Sequence, residues 1–289
     1  MYKLGIVLFG QPRYYNVIKR YYDKAFTGCE IDYFIHVWNI DTVDVRNQFP
    51  DTRSLFYNKK STDRVIKYDV NKLKQELRDI YDTSNVIVSD YDRHVYMLKR
   101  SNLVHQWRSF EKASKLLKRS KKDYDLIVCS RLDVIFELKN NLIKRLLDIV
   151  EKNKSPNNEL IICASADKKN HEGYSPTSLE AMYDLLWFGT KEGIIKYGHN
   201  FTRNQINDSN FGRRGFRLRW GDQLKRSEST VYRIPGRKRI SRSVIIIKPA
   251  CPSFDIETIK NYCAYHKHNK RGKAELTDVK PYDPKIEYK

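Results

Sequence analysis

The chain has 289 residues, 40% of them hydrophobic, which suffices for one large core and excludes a disordered polypeptide. Its five cysteines (Cys29, Cys129, Cys163, Cys251 and Cys263) are an odd number, and three sit in or beside apolar runs, so reduced, buried thiols are expected rather than a disulfide framework. The formal net charge is +20, and between Phe201 and Lys248 thirteen Lys and Arg stand against three Asp and Glu, a block that repels itself unless an anion is near.

The chain opens with Met1-Tyr2 and a short apolar run, Lys3–Gly10, that ends in a glycine turn. No apolar run reaches the roughly 18 residues of a membrane span, so neither a signal peptide nor a transmembrane segment is expected and the cytoplasm is the expected compartment.

Lys3–Gly10 reads as a first buried strand. Arg13–Phe26 has helical spacing, with Tyr14, Val17, Ile18 and Tyr21 on one face. Ile31–Asn39 is a second strand. Thr62–Ile80 reads as helix through Ile66, Val70, Leu73, Leu77 and Ile80. Asn85–Asp90 is a third strand, Met97–Leu117 a long helix, and the stretch from Tyr124 to Asp133 a fourth strand. Near-continuous apolar strands alternating with helices predict an α/β fold: a mostly parallel sheet with helices on both faces. Beyond residue 136 the alternation weakens. Leu142–Val150 reads as helix, Glu159–Ala166 and Met182–Thr190 as strands, the segment from Gly193 as the start of a helix, and Ser243–Pro249 as a late strand. A single domain is expected, with residues 1–136 and 137–266 as its two halves, a mixed, partly antiparallel second half, and a polar tail over 267–289.

Four stretches invite chemistry. In "LFGQPR" a strand ends, Gly10 permits a tight turn, and Gln11, Pro12 and Arg13 lead to a helix start, where backbone N–H groups and a guanidinium suit a phosphate. The further glycines of a dinucleotide site and the Gly-Lys-Ser/Thr of a P-loop are both absent from it. In "YDLIVCSRLDVIFE" Arg131 and Asp133 interrupt an apolar strand. They are either a structural ion pair or groups presented at the strand's end, where such sheets bind ligands and where Asp133 could hold a divalent cation. In "RWGDQL" Asp222 is either an N-cap or a general base, with Asp184 as the second candidate base. "CAYHKH" has zinc-like spacing but no second half.

Six pieces in this order, "FGQPR", "DYFIHVWN", "VHQWRSFEKASKLL", "YDLIVCSRLDVIF", "DLLWFGT" and "WGDQL", resemble nucleotide-sugar glycosyltransferases of the GT-A type found in phages, large viruses and bacteria. The resemblance implies a GT-A-like fold and transfer of a sugar from a nucleotide diphosphate donor, a UDP-sugar being favoured. Gly10, Gln11, Arg13, Arg131 and Asp133 are then donor-binding residues. The Arg-x-Asp segment resembles a shortened Asp-x-Asp motif, with Asp133 as the carboxylate for Mg or Mn and Arg131 in the place of the first carboxylate. Asp222, then Asp184, would take the acceptor's proton.

The basic block interleaves arginines with aromatics and glycines rather than forming an amphipathic helix, which suits phosphate contacts and base stacking. Arg213, Arg214, Arg217, Arg219, Lys225, Arg237, Lys238 and Arg239 are the expected contacts to double-stranded DNA. A hydroxymethylated pyrimidine, flipped from the duplex, is the favoured acceptor, and for a viral protein the expected setting is the cytoplasm of an infected host cell. The alternatives are a surface-polysaccharide or lipid-linked glycan acceptor, and a non-catalytic nucleic-acid-binding protein on the same scaffold.

Overall fold

The computed structural model describes residues 1–12, 15–43, 64–91, 102–132, 135–138, 142–153, 157–164, 186–206, 230–234 and 244–247. In chain order the elements are β1 (Tyr2–Gly10), α1 (Tyr15–Ala25), β2 (Cys29–Trp38), β3 (Ile40–Val43), β4 (Arg64–Lys67), α2 (Val70–Tyr81), β5 (Val86–Ser89), α3 (Asn102–Arg119) and β6 (Leu126–Arg131). They continue with β7 (Ile135–Leu138), α4 (Leu142–Lys152), β8 (Leu160–Ala164), β9 (Leu186–Gly189), α5 (Lys191–Gly198), α6 (Phe201–Ile206), β10 (Thr230–Ile234) and β11 (Val244–Ile247).

Seven strands form the central sheet in the order β10-β8-β9-β6-β1-β2-β5. The neighbours from β6 to β5 are parallel, β9 runs against both β6 and β8, and β10 is parallel to β8. The protein is therefore an α/β fold with a mixed sheet flanked by helices.

Strand alternation builds two cores from one sequence pattern. Leu4, Ile6 and Leu8 of β1, Tyr33, Ile35 and Val37 of β2, and Leu126 and Val128 of β6 face α1, α2 and α4, where Ile18, Tyr22, Leu73, Leu77 and Leu146 cover them. Val7, Phe9, Phe34, Ile127, Cys129 and Trp187 point the other way and meet Trp107, Phe110 and Leu117 of α3, Tyr197 of α5 and Phe201 of α6. Because β1, β2 and β6 are covered on both faces, their central positions do not alternate with exposed polar ones, which is why they read as near-continuous apolar runs, with the buried His36 of β2 as the polar exception.

Two expectations change, over Thr62–Ile80 and at Cys29. Thr62–Ile80 is not one helix: Arg64–Lys67 is a strand paired antiparallel with Ile40–Val43, so Ile66 belongs to a sheet. The helix begins after Asp69, whose carboxylate accepts the Lys72 N–H at 2.8 Å as an N-cap, and ends at Asp82 in the left-handed conformation. The fourth strand lies inside the expected Tyr124–Asp133 and ends at Arg131; after Leu132 the chain leaves the central sheet, and β7 pairs with β11 in another sheet. Cys29 is a free thiol only half-buried, whereas Cys129 is buried as expected.

Candidate functional site

β1 is the switch strand of the sheet. From it the chain moves outward to β2 and β5 on one side, and to β6 on the other. At such a position the connections leaving the carboxyl ends diverge and open a crevice. The β1–β6 register sets Phe9 opposite Arg131, and the Leu132 N–H donates to the Phe9 carbonyl at 2.9 Å. Gly10, Gln11 and Arg131, more than a hundred residues apart in sequence, therefore emerge side by side. Ser130 is fully buried, while Arg131 is half-buried. Its charge thus lies at the end of the strand, not in the sheet interior.

Gly10 has φ +118°, a region that a side chain disfavours, and turns the chain off the sheet. Among the described residues nothing lies within 4 Å of where a Cβ on Gly10 would stand, so the glycine answers a backbone demand rather than a steric one. Its N–H does not face a ligand: it donates to Ser109 Oγ at 2.8 Å. Pro12 is buried and has no N–H. The expected cradle of N–H groups thus loses two members, and Gly10 contributes conformation instead.

Beneath the carboxyl ends of β1, β2 and β5 runs a connected polar chain. The Ser109 hydroxyl donates to the His36 carbonyl at 2.9 Å and lies 2.7 Å from His36 Nδ1. With its single proton on that carbonyl, Ser109 Oγ accepts both the Gly10 N–H and a proton from His36 Nδ1. His36 Nε2, left as the acceptor, takes the Ser89 hydroxyl at 2.9 Å, and Ser89 Oγ accepts from Lys112 Nζ at 2.7 Å. Both His36 and Ser109 are 0% exposed, so these bonds satisfy groups that water cannot reach. One helix, α3, thereby fixes the ends of three strands. Trp38 adds to the anchor by donating its Nε1–H to the His105 carbonyl at 3.0 Å, and Lys112 Nζ stands 5.3 Å from the Trp38 ring centroid.

The electrostatics of α3 are uneven. Burial first, and then the Arg108 charge, push the Lys112 ammonium down to about 8. Glu111 is 3% exposed and binds Lys115 at 2.8 Å, Arg108 at 3.1 Å and the Thr202 N–H at 3.2 Å. Burial raises its carboxyl, but the bonds from Lys115 and Thr202 and the Arg108 and Lys115 charges outweigh it and hold it below its ordinary value. Glu111 thus ties α3 to the start of α6, the first element of the basic block.

The structure brings together Gly10, Gln11 and Arg131. Arg13, Asp133, Asp184, Asp222 and the basic residues Arg213, Arg214, Arg217, Arg219, Lys225, Arg237, Lys238 and Arg239 lie outside the described residues, as does the Cys263–His268 cluster. Flanking parts of the basic block are described: Phe201 packs on α3, Thr230–Ile234 adds a strand beside β8, and Val244–Ile247 pairs with the strand that follows Asp133. Among the described residues there is no group of three or more His, Cys, Asp or Glu that could hold a metal ion, and no helix is long and apolar enough to cross a membrane. Sequence reading missed Ser109, His36 and Ser89, although a histidine inside the apolar run "YFIHVW" is a signal, since a buried imidazole requires polar partners.

The chain matches no protein-family model and no curated protein.

Proposed function

We propose that the protein is a nucleotide-sugar glycosyltransferase of the GT-A type whose acceptor is a hydroxymethylated pyrimidine in double-stranded DNA. The observation that carries the reading is the meeting of Gly10, Gln11 and Arg131 at the switch point of a mixed sheet. The loop after a first strand and the Arg-x-Asp segment are the two pieces a donor diphosphate would have to touch at once, and the β1–β6 pairing makes them neighbours.

In this reading the half-buried Arg131 guanidinium faces the donor diphosphate. Charge develops on the leaving phosphate as the bond to the anomeric carbon breaks, and a fixed cation there lowers the barrier. Asp133, two residues further on, offers the carboxylate for Mg or Mn. Asp222, with Asp184 as the second choice, removes the proton of the acceptor hydroxyl. The positive charge of residues 201–248 favours an anionic polymer as acceptor.

The test incubates the protein with radiolabelled nucleotide sugars and hydroxymethylcytosine DNA. Label on DNA that is lost in Arg131→Ala and in Asp133→Ala supports the reading. Label on a glycan or lipid extract instead of DNA removes the DNA acceptor. Failure of every nucleotide diphosphate sugar to stabilise the protein thermally removes the transferase altogether.

A further inference from the structure

Residues Arg108 to Lys122 hold seven Lys and Arg against the single acid Glu111 and the closing residue pair is Lys121-Lys122, a denser positive run than the block after residue 201. Most of it lies on α3. At about 100° per residue, Arg108, Lys112, Lys115 and Arg119 fall within an arc of about 60°. They form a ridge about 16 Å long, the axial length of about five base pairs. We propose that this α3 ridge is a docking surface for the phosphate backbone of a nucleic acid, distinct from the arginines of residues 213–239.

Three observations separate the ridge from an ordinary solvated helix face. Cations in the last turn are favoured by the helix dipole, which accounts for Lys118 and Arg119 but not for Arg108 and Lys112, two or more turns upstream. Among the described residues the acid that pairs with the ridge is the buried Glu111, whose single charge is divided between Arg108 and Lys115 and also takes the Thr202 N–H, so the four ridge cations keep a net positive charge of three. Among the described residues Lys112 makes no ion pair: its ammonium rests on the Ser89 hydroxyl and the Trp38 ring, and the neighbouring Arg108 charge contributes to lowering its proton affinity. Crowded cations of this kind are stabilised by an anion placed along them. Among the described residues, no exposed large apolar side chain lies on the ridge helix, which argues against a lipid surface. The exposed large hydrophobic residues of the described chain are Met1 and Tyr2, at the start of β1 and not on α3. The ridge begins at the carboxyl edge of the sheet, where Ser109 holds Gly10, so a duplex lying along it leads to the candidate site.

The choice of DNA rests on the proposed acceptor, and the experiment therefore reads DNA binding and donor turnover separately. Binding of a fluorescein-labelled duplex is followed by anisotropy across a salt series, without nucleotide sugar. The variants are Lys112→Gln/Lys115→Gln/Arg119→Gln and the milder Lys115→Gln/Arg119→Gln, which keeps the Lys112–Ser89 bond. The control, Lys24→Gln/Lys72→Gln/Lys144→Gln, removes the same charge from exposed positions on α1, α2 and α4. The salt slope of wild-type affinity should fall by about 2.7 in the ridge triple variant and about 1.8 in the double, at about 0.9 per phosphate contact, and stay unchanged in the control. Equal losses in ridge and control variants, or an unchanged slope in both ridge variants, overturn the proposal. Ridge-dependent binding to phosphatidylserine–phosphatidylcholine vesicles without DNA binding also overturns it. Donor hydrolysis without ridge-dependent DNA binding removes the ridge and keeps the transferase. Ridge-dependent binding without donor hydrolysis does the reverse.

Discussion

The Ser109 hydroxyl receives the Gly10 N–H at 2.8 Å and so joins the middle of α3 to the turn that ends β1. The same oxygen serves His36 through both its ring and its carbonyl. A single side chain thus holds the backbone of two adjacent strand ends at the switch point. Ser109→Ala removes the hydroxyl that the Gly10 N–H, His36 Nδ1 and the His36 carbonyl share in a space closed to water. The expected loss is about 2 to 3 kcal/mol of unfolding free energy, read by urea denaturation. A loss below about 0.5 kcal/mol, the low end for a single hydrogen bond, would show that the chain of bonds is slack.

Two glycines distinguish conformational from steric demand. Gly10→Ala meets open space but must hold φ +118°, so it should cost about 1 to 2 kcal/mol. Gly193→Ala would drive its Cβ into the Leu160 backbone, which has no side-chain freedom to yield, and should cost about 3 kcal/mol. Denaturant melts of the two variants should therefore rank Gly193→Ala as the more damaging. Gly10→Ala should in addition weaken binding of a nucleotide diphosphate, whereas Gly193→Ala should not.

Glu111 makes stability depend on acid. Its carboxyl titrates below the ordinary 4.5, so its contribution is complete above that value and is lost as the pH falls through the lower, folded value. Glu111→Gln should cost about 2 kcal/mol at pH 7, a typical figure for hydrogen bonds to a charged group. The gap between wild type and variant should close as urea melts are repeated at progressively lower pH beneath 4.5. A gap independent of pH would mean that the carboxylate's charge is not what joins α3 to α6.

Lys112 carries the opposite charge, but its pH dependence has the same sign in a higher window. Burial, and then the Arg108 charge, push its ammonium down to about 8 in the folded protein, from the ordinary 10.5 of a free side chain. Between those values the unfolded chain binds more protons, so this residue makes stability rise with pH. The difference in stability between wild type and Lys112→Met should shift in favour of wild type as the pH is raised from 8 to 10.5. A nucleic-acid backbone bound along α3 should hold the ammonium charged and abolish that shift.

The sequence by itself determined the layers. The apolar runs of β1, β2 and β6 announced strands covered on both faces, and the helical periodicities of Tyr15–Ala25, Asn102–Arg119 and Leu142–Lys152 announced what covers them. It also marked Gly10, Gln11 and Arg131 as residues out of place in a buried strand or an ordinary turn. These are local signals, since burial on both faces and a sharp turn each leave a pattern within a few residues. Tertiary structure decided what lies beside what. The reversal of β9 between β6 and β8, and the pairing of β4 with β3 that removed Ile66 from a helix, depend on partners distant in sequence. The break after Arg131 became legible once β7 found its partner in β11, more than a hundred residues later. The chain from Gly10 through Ser109, His36 and Ser89 to Lys112 joins five side chains or backbone groups from four elements, and no spacing along one element could have revealed it. Hydrogen bonds are short-ranged in space but carry no trace in sequence distance, so only the packed sheet and helix could bring these groups within reach.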